Sequence, residues 1–228
     1  MTIHRAFIAL VLAAVVVGVA AARDTPGGTV TGHVVVMNDG KPVVGGDPVH
    51  VDAWVYLEGP KVRRKAKPPS PPAREIRQTK EQFSPRVLVV PVGTTINFPN
   101  FDLTEHNVFS PDPWFNLGRY NHDLKGLPHT FADAAEANIF CDVHMKMSAW
   151  VKVVDSGFIA PVKDGVFQIE GVPPGSYKVH AWLPDSDEVI ERVEVVDGAV
   201  TRTTELHLQQ GKERPHNRFD KSHYKPYL

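Results

Sequence analysis

The sequence holds a single cysteine, Cys141, among its 228 residues. A chain with one cysteine cannot form an intramolecular disulfide, so the cross-links that commonly stabilise exported domains are excluded. A lone thiol is vulnerable to oxidation outside the cytoplasm unless it is buried or bound to a metal ion. The surroundings of Cys141 are therefore the first place to look for a functional site.

The sequence also lacks an excess of charge of either sign. It has 25 basic and 26 acidic residues, for a formal net charge of −1 with neutral histidines. Proteins that bind nucleic acids or anionic membranes usually carry a basic excess on one face, and this composition supports neither class. The length allows one large domain or two smaller ones, each with a buried core.

Long stretches of helical periodicity are missing after the first 22 residues. Instead, short apolar runs are separated by 20 prolines and 17 glycines that are spread along the whole chain. Residues 87–90, 94–98 and 148–154 have the length and the β-branched or aromatic content of strands. The expected fold class is all-β, with one β-sandwich and a second, smaller one.

The first 22 residues have the pattern of an export signal. A basic start at His4 and Arg5 precedes an apolar run that ends in three alanines, and small residues there suit cleavage after Ala22. An uncleaved membrane anchor is the alternative, because the run approaches the ~20 residues that a helix needs to span a bilayer. We therefore expect an exported protein, in the periplasm or an equivalent compartment.

Two short motifs bring together residue types that bind soft metals. The segment CDVHMKM, residues 141–147, offers the thiolate of Cys141, the imidazole of His144 and a thioether within one loop between predicted strands. His106, in the segment EHNVFS, lies 35 residues before the cysteine and supplies a second imidazole. Two imidazoles, a thiolate and a weak axial thioether form the ligand set of a blue-copper site. The motifs therefore predict a site for one copper ion that serves both Cu(I) and Cu(II).

Either of two methionines in this loop can supply the thioether. Met147 is the preferred axial ligand, and Met145, beside His144, is expected to be an exposed or partly buried neighbour. The alternatives to copper are a catalytic Cys–His pair and an inert buried thiol. His122 and His129 fit no ligand motif and are expected to be ordinary surface or core residues.

Residues 81–155 resemble the cupredoxins, the family of plastocyanin and amicyanin. The resemblance rests on VPVGTTINF at residues 90–98, HNVFS at residues 106–110, and the C-x2-H-x2-M loop, whose length is similar to the short form in amicyanin. It implies a Greek-key β-sandwich and a one-electron carrier between redox proteins rather than an enzyme. The copper ligands that it implies are His106, Cys141, His144 and Met147. It also implies that Asn107 braces the cysteine loop.

Other classes of copper protein agree less well with the sequence. Multicopper oxidases and nitrite reductases need further histidines in His-x-His motifs, and a dinuclear copper centre needs a second cysteine; the sequence has neither. A periplasmic copper storage or delivery protein stays open as the alternative, and Met145, Met147, His216 and His223 are the residues that point to it. We expect a monomer with redox protein partners, no nucleic acid, and no membrane contact unless the signal is uncleaved.

Residues 156–210 resemble carboxypeptidase-regulatory-like (transthyretin-like) β-sandwich modules, on the segment DGVFQIEGVPPGSYKV at residues 164–179. Such modules usually open with a G-x-V-x-G-x-V strand and a G-x-P turn, which this chain has far upstream, within residues 28–42. We therefore expect residues 28–59 and 156–210 to form one sandwich, with the copper domain, residues 75–155, inserted between them. The alternative is that the N-terminal strands pair with the copper domain.

The remaining segments are expected to be exposed to solvent. Residues 60–74 are basic and proline-rich, and we interpret them as a linker, with a docking strip for an acidic partner as the alternative. Residues 211–228 are polar and are expected to form a tail. In the second sandwich, residues 185–188 are interpreted as a solvated acidic turn, and His180 and Trp182 as packing residues on a strand.

Overall fold

The computed structural model describes residues 27–43, 52–60, 62 and 74–210, and these form an all-β protein, which confirms the predicted fold class. The predicted signal, most of the basic linker and the polar tail with His216 and His223 lie outside the described residues. In the part of the chain that the structure describes, no helix is long and apolar enough to cross a membrane. The strands are β1 (Gly28–Asn38), β2 (Lys41–Pro42), β3 (Trp54–Glu58), β4 (Arg77–Thr79), β5 (Gln82–Ser84), β6 (Val87–Pro91), β7 (Thr94–Asn100), β8 (His106–Pro111), β9 (Trp114–Tyr120), β10 (Asp123–Phe131), β11 (Ala135–Phe140), β12 (Ser148–Val154), β13 (Ile159–Pro161), β14 (Val166–Val172), β15 (Gly175–Trp182), β16 (Val189–Val195), β17 (Val200–Arg202) and β18 (Leu206–Gln209).

Strands β4 to β12 form two sheets, which we call the central sandwich. One sheet has the order β6-β12-β11-β8-β9 and the other the order β10-β7-β4-β5. Successive residues of a strand point to opposite faces, so β12 sends Ala149, Val151 and Val153 into the core between the sheets. Phe98 and Ile139 are fully buried in the same core. The predicted metal loop connects β11 to β12 at one end of this sandwich.

Strands from both ends of the described chain form a second unit, the flanking sandwich. In one sheet β1 pairs antiparallel with β14 and parallel with β17 and β18. In the other sheet β3 lies between β13 and β15. Within the described ranges, neither β1 nor β3 pairs with a strand of the central sandwich. The N-terminal strands thus complete the sheets of the C-terminal segment.

Val62 corrects the interpretation of residues 60–74 as a wholly exposed linker. Its side chain is buried in the core of the flanking sandwich, and its carbonyl accepts a hydrogen bond from the Gly157 N–H at 3.1 Å. The physical reason is that Val62 is the only large apolar side chain in this basic segment. Its burial removes apolar surface from water and stabilises the fold without requiring that a charged side chain be buried. The interpretation of residues 63–73 concerns residues that the structure does not describe.

The two sandwiches contact each other through the outer face of β6 and β12. Trp150 and Val154 on β12 form a buried cluster with Val87 and Val89 on β6 and with Trp182 of the flanking sandwich. These residues alternate along each strand with those that fill the central core. Strands β6 and β12 of this sheet are therefore packed on both faces.

A lysine in this junction joins charged groups of the flanking sandwich. Lys152 Nζ lies 2.7 Å from Glu188 Oε1 and 4.8 Å from the centre of the Trp182 ring. Glu188 also accepts a hydrogen bond from the Tyr56 hydroxyl at 2.9 Å, and its Oε2 lies 2.9 Å from His180 Nδ1. The interpretation of Glu188 as solvated is therefore wrong, and His180 forms polar contacts in addition to packing. Trp182 is a buried packing residue on its strand, as predicted. A lysine held between packed strands needs anionic partners, and Glu188 supplies one.

Protonation of Glu188 provides a test of this junction. Partial burial opposes ionisation, but hydrogen bonds from His180, Lys152 and Tyr56 outweigh it and lower the pKa of Glu188 from 4.5 to about 2. A carboxyl group whose pKa is lower in the folded protein stabilises the fold at high pH, and this contribution is lost as the pH falls through the folded pKa. We expect the free energy of unfolding to fall from pH 4.5 to pH 2, and Glu188→Gln to flatten that dependence.

Urea unfolding at a series of pH values across this range measures the effect. Glu194→Gln is the matched control, because Glu194 lies exposed on β16. If Glu188→Gln keeps the same pH dependence as the wild type and the control, Glu188 does not link the two sandwiches in the way described.

Candidate metal centre

The structure places the donor atoms of three of the four predicted ligands close together. His106 Nδ1 lies 2.9 Å from His144 Nδ1, and Cys141 Sγ lies 4.0 Å from the same His144 atom. One donor atom from each residue falls within 4.8 Å of the other two. Among the residues that the structure describes, this is the one such group of histidine, cysteine or carboxylate side chains.

The ends of three strands position these side chains. His106 is the first residue of β8, and β11 ends immediately before Cys141. The short loop before β12 closes on itself, because the Cys141 N–H donates to the Met147 carbonyl at 3.3 Å and the Met147 N–H donates to the His144 carbonyl at 3.0 Å. A loop tied at both ends in this way holds its donor groups against the end of the sandwich.

The spacing of the donor atoms fits one metal ion. A metal about 2.0–2.1 Å from imidazole nitrogens and about 2.3 Å from a thiolate holds its donor atoms roughly 3–4 Å apart. The separations of 2.9 Å between the two nitrogens and 4.0 Å between sulfur and nitrogen are of this size. Two imidazole nitrogens that face each other this closely need a proton or a cation between them. The combination with a thiolate is the chemistry of a soft-metal site.

Asp102, which lies outside the sequence motifs of the predicted site, orients the first imidazole. Its Oδ2 lies 2.9 Å from His106 Nε2, which places a proton on Nε2 and leaves Nδ1 free to face the site. The backbone N–H groups of Lys80 and Glu81 donate to the Asp102 carboxylate at 2.7 and 2.9 Å. Burial opposes ionisation, but the hydrogen bonds from Glu81, His106 and Lys80 lower the pKa of Asp102. The sequence signal was a carboxylate four residues before a predicted ligand.

The two imidazoles differ in exposure. His106 is fully buried, whereas the side chain of His144 is 21% exposed. His144 Nε2 lies 3.7 Å from Glu81 Oε1. The backbone N–H of the same Glu81 donates to the Asp102 carboxylate. The site therefore reaches solvent at the edge of His144.

The two methionines of the loop differ in burial, and the remaining histidines of the region lie apart from the donor atoms. Met147 is fully buried in the central core, and Met145 is 61% exposed. His122 is exposed, and His129 stacks on Phe115 with their ring centres 3.8 Å apart. Neither histidine joins the group of donor atoms. Of the two thioethers, that of Met147 lies on the buried side of the loop.

Asn107 contacts the cysteine through its backbone rather than its side chain. Its N–H donates to Cys141 Sγ at 3.4 Å. Its side-chain amide donates instead to Asn116 Oδ1 on β9 at 2.9 Å. The side chain of Asn107 thus braces the neighbouring strand, and the brace on the cysteine is the amide N–H.

Comparison with known proteins gives partial similarities only. No family model matches the chain, and no curated protein matches it. A copper-containing nitrite reductase from Thermus scotoductus SA-01 is 25% identical over 35% of this chain and 22% of its own, with a TM-score of 0.33. A purple cupredoxin from Nitrosopumilus maritimus is 26% identical over 35% of this chain and 98% of its own, with a TM-score of 0.32. Amicyanin from Paracoccus versutus is 20% identical over 44% of this chain and 97% of its own, with a TM-score of 0.34. Similarity at this level does not identify the metal ligands. Their assignment depends on the distances between the donor atoms of this chain.

Proposed function

We propose that the protein binds one copper ion and carries single electrons between redox proteins. The observation that supports the proposal is the convergence of one thiolate and two imidazoles at metal-donor spacing. The residues that would hold the ion are His106, Cys141, His144 and Met147. When bound, copper would supply a one-electron couple between Cu(I) and Cu(II).

The chain itself arranges the donor groups and excludes water from them. Asp102 keeps a proton on Nε2 of His106, so that the lone pair of Nδ1 faces the site. The Asn107 N–H donates to the sulfur of Cys141, which is itself 2% exposed. Donor groups held in place by their neighbours move little between two oxidation states, which favours fast electron transfer. The partly exposed edge of His144 is the route by which a partner would exchange the electron.

We infer that residues 75–155 are a copper domain inserted into a host sandwich formed by residues 28–59 and 156–210. Support comes from the pairing of β1 with β14, β17 and β18, and of β3 with β13 and β15. The host has the role of a structural or docking module in this proposal. We further propose that the protein is exported, on the basis of residues 1–22, and that it is a monomer without catalytic activity.

Copper delivery is the second candidate function, and one observation favours it. The thioether of Met145 is exposed beside His144, where a soft ligand at the surface could pass Cu(I) to another protein. Exchange kinetics separate the two functions, because a carrier retains its metal through many electron transfers and a delivery protein releases it.

Titration with Cu(II), followed by visible and EPR spectroscopy, tests the proposed function. We expect one Cu(II) per chain, an intense thiolate-to-copper absorption band, reversible voltammetry and slow loss of Cu(I) to a chelator. Absence of the band, together with tighter binding of zinc, would contradict electron transfer. A band accompanied by rapid loss of Cu(I) would favour delivery instead.

A further inference from the structure

An ion pair ties the cysteine loop to the neighbouring strand β9. Arg119 Nε lies 3.2 Å from both carboxylate oxygens of Asp142, and Arg119 Nη2 lies 3.1 Å from Oδ2. Asp142 directly follows Cys141 in the chain. A guanidinium that donates through two nitrogens to one carboxylate restricts the orientation of both groups, which a single contact from lysine does not.

A local distortion of the β8–β9 hairpin places Arg119 for this contact. Asn116 Oδ1 accepts hydrogen bonds from the Gly118 N–H at 2.8 Å and from the side-chain amide of Asn107 at 2.9 Å. Gly118 has a φ of +79°, a conformation in which a larger residue would be strained. The strand register shifts just after Asn107 and leaves Arg119 opposite it. Since Asn107 also donates to the sulfur of Cys141, one hairpin holds the cysteine and the residue after it.

The location of the pair matters more than its contribution to stability. The side chain of Arg119 is 50% exposed and that of Asp142 is 15% exposed, and such pairs contribute little to the free energy of unfolding. However, the carboxylate of Asp142 adjoins a thiolate in sequence, and like charges that lie close together disfavour each other. Arg119 offsets that charge through its two-nitrogen contact with Asp142.

We propose that Arg119 is a positioning residue for the metal centre, acting through Asp142. It holds the cysteine end of the loop in place and neutralises the negative charge next to the thiolate. This inference rests on the proposed copper function, and it adds a determinant of the potential and of metal retention that lies outside the ligand set.

The two partners predict opposite shifts of the reduction potential. Arg119→Gln leaves the charge of Asp142 uncompensated, which favours the more positive oxidation state of the copper and lowers the potential. Asp142→Asn removes a negative charge beside the cysteine, which disfavours the more positive oxidation state of the copper and raises the potential. In the double variant the potential returns close to that of the wild type. All three variants lose the ion pair between Arg119 and Asp142. Release of Cu(I) should therefore be about tenfold faster in each of them than in the wild type, as for other residues that support ligands.

Two further variants separate charge from geometry. Arg119→Lys keeps the charge and loses the two-nitrogen contact, so we expect a nearly unchanged potential with release between those of the wild type and Arg119→Gln. Arg192→Gln removes an exposed arginine from β16 of the flanking sandwich and should change neither property. A purely structural role for Arg119 would not produce shifts of opposite sign in Arg119→Gln and Asp142→Asn.

Voltammetry and transfer of Cu(I) to a chelator measure these effects, and amide exchange measures the loop without metal. In the metal-free protein, the Met147 N–H should exchange faster in Arg119→Gln and Asp142→Asn than in the wild type. Shifts of equal sign, or wild-type potential, release and exchange in both variants, would overturn the proposal. A wild type that binds no copper would instead contradict the proposed function, and the exchange measurement would still decide whether Arg119 holds the loop.

Discussion

Replacement of Cys141 by serine is expected to abolish the thiolate-to-copper absorption band and to weaken copper binding by more than about 100-fold. Changes to residues that only support ligands cost about 10–100-fold in metal affinity, so loss of the thiolate itself should exceed that range. A serine hydroxyl stays protonated at neutral pH and is a hard donor, whereas the thiolate is soft and suits both oxidation states of copper. Cu(II) titration in competition with a chelator measures the affinity, and the visible spectrum reports the bond to sulfur.

The fold should survive this substitution, because serine is close to cysteine in size and its buried hydroxyl can accept the hydrogen bond that the Asn107 N–H donates to Cys141 Sγ. Met145→Leu is the matched control in the same loop, since its side chain is exposed and should not affect the band. Met147→Leu should retain the band with an altered position and potential, because the thioether of Met147 would tune the site while the thiolate of Cys141 would give rise to the band. A copper band that persists in Cys141→Ser would contradict the assigned site.

The sequence predicted those parts of the molecule whose signals are local. The strand predicted at residues 148–154 coincides with β12, because apolar residues on both faces of a strand give an uninterrupted run of strand-forming residues. The candidate site was also largely local, since Cys141, His144 and Met147 share one short loop. Only His106 had to be assigned from a distant motif, and the structure places it 2.9 Å from His144.

Contacts between charged side chains far apart in sequence could not be predicted in the same way. Lys152 was predicted only as part of a strand and Glu188 as part of a solvated turn, and their 2.7 Å contact depends on how the two sandwiches pack. The same holds for Arg119 and Asp142, which only the distorted β8–β9 hairpin brings together. Strand β10 was missed for a related reason, because most of its residues are at least partly exposed and give no apolar alternation.

Truncation of Phe167 to alanine is expected to destabilise the flanking sandwich by about 3–5 kcal/mol, the usual cost of removing a buried phenylalanine side chain. Phe167 is 1% exposed within the core that β1 and β14 share. Because the two cores are separate clusters joined by a small junction, we expect the loss of stability to fall mainly on the flanking strands. Hydrogen exchange followed by mass spectrometry resolves peptides of β1 from those of β11 and measures each sandwich by itself.

Phe98→Ala is the matched counterpart, since Phe98 is fully buried in the core of the central sandwich, which carries the metal loop. It should cost a similar free energy but accelerate exchange in β11 and weaken the copper band, while Phe167→Ala leaves the band in place. The Lys152–Glu188 contact and the Trp182 cluster couple the two sandwiches. Each variant should therefore also accelerate amide exchange slightly in the other sandwich. If Phe167→Ala instead accelerated exchange in β11 as much as in β1, the two sandwiches would unfold as one cooperative unit. An insertion of the copper domain as a separately stable body would then be wrong, and the junction at Lys152 would be part of the fold that holds the metal site.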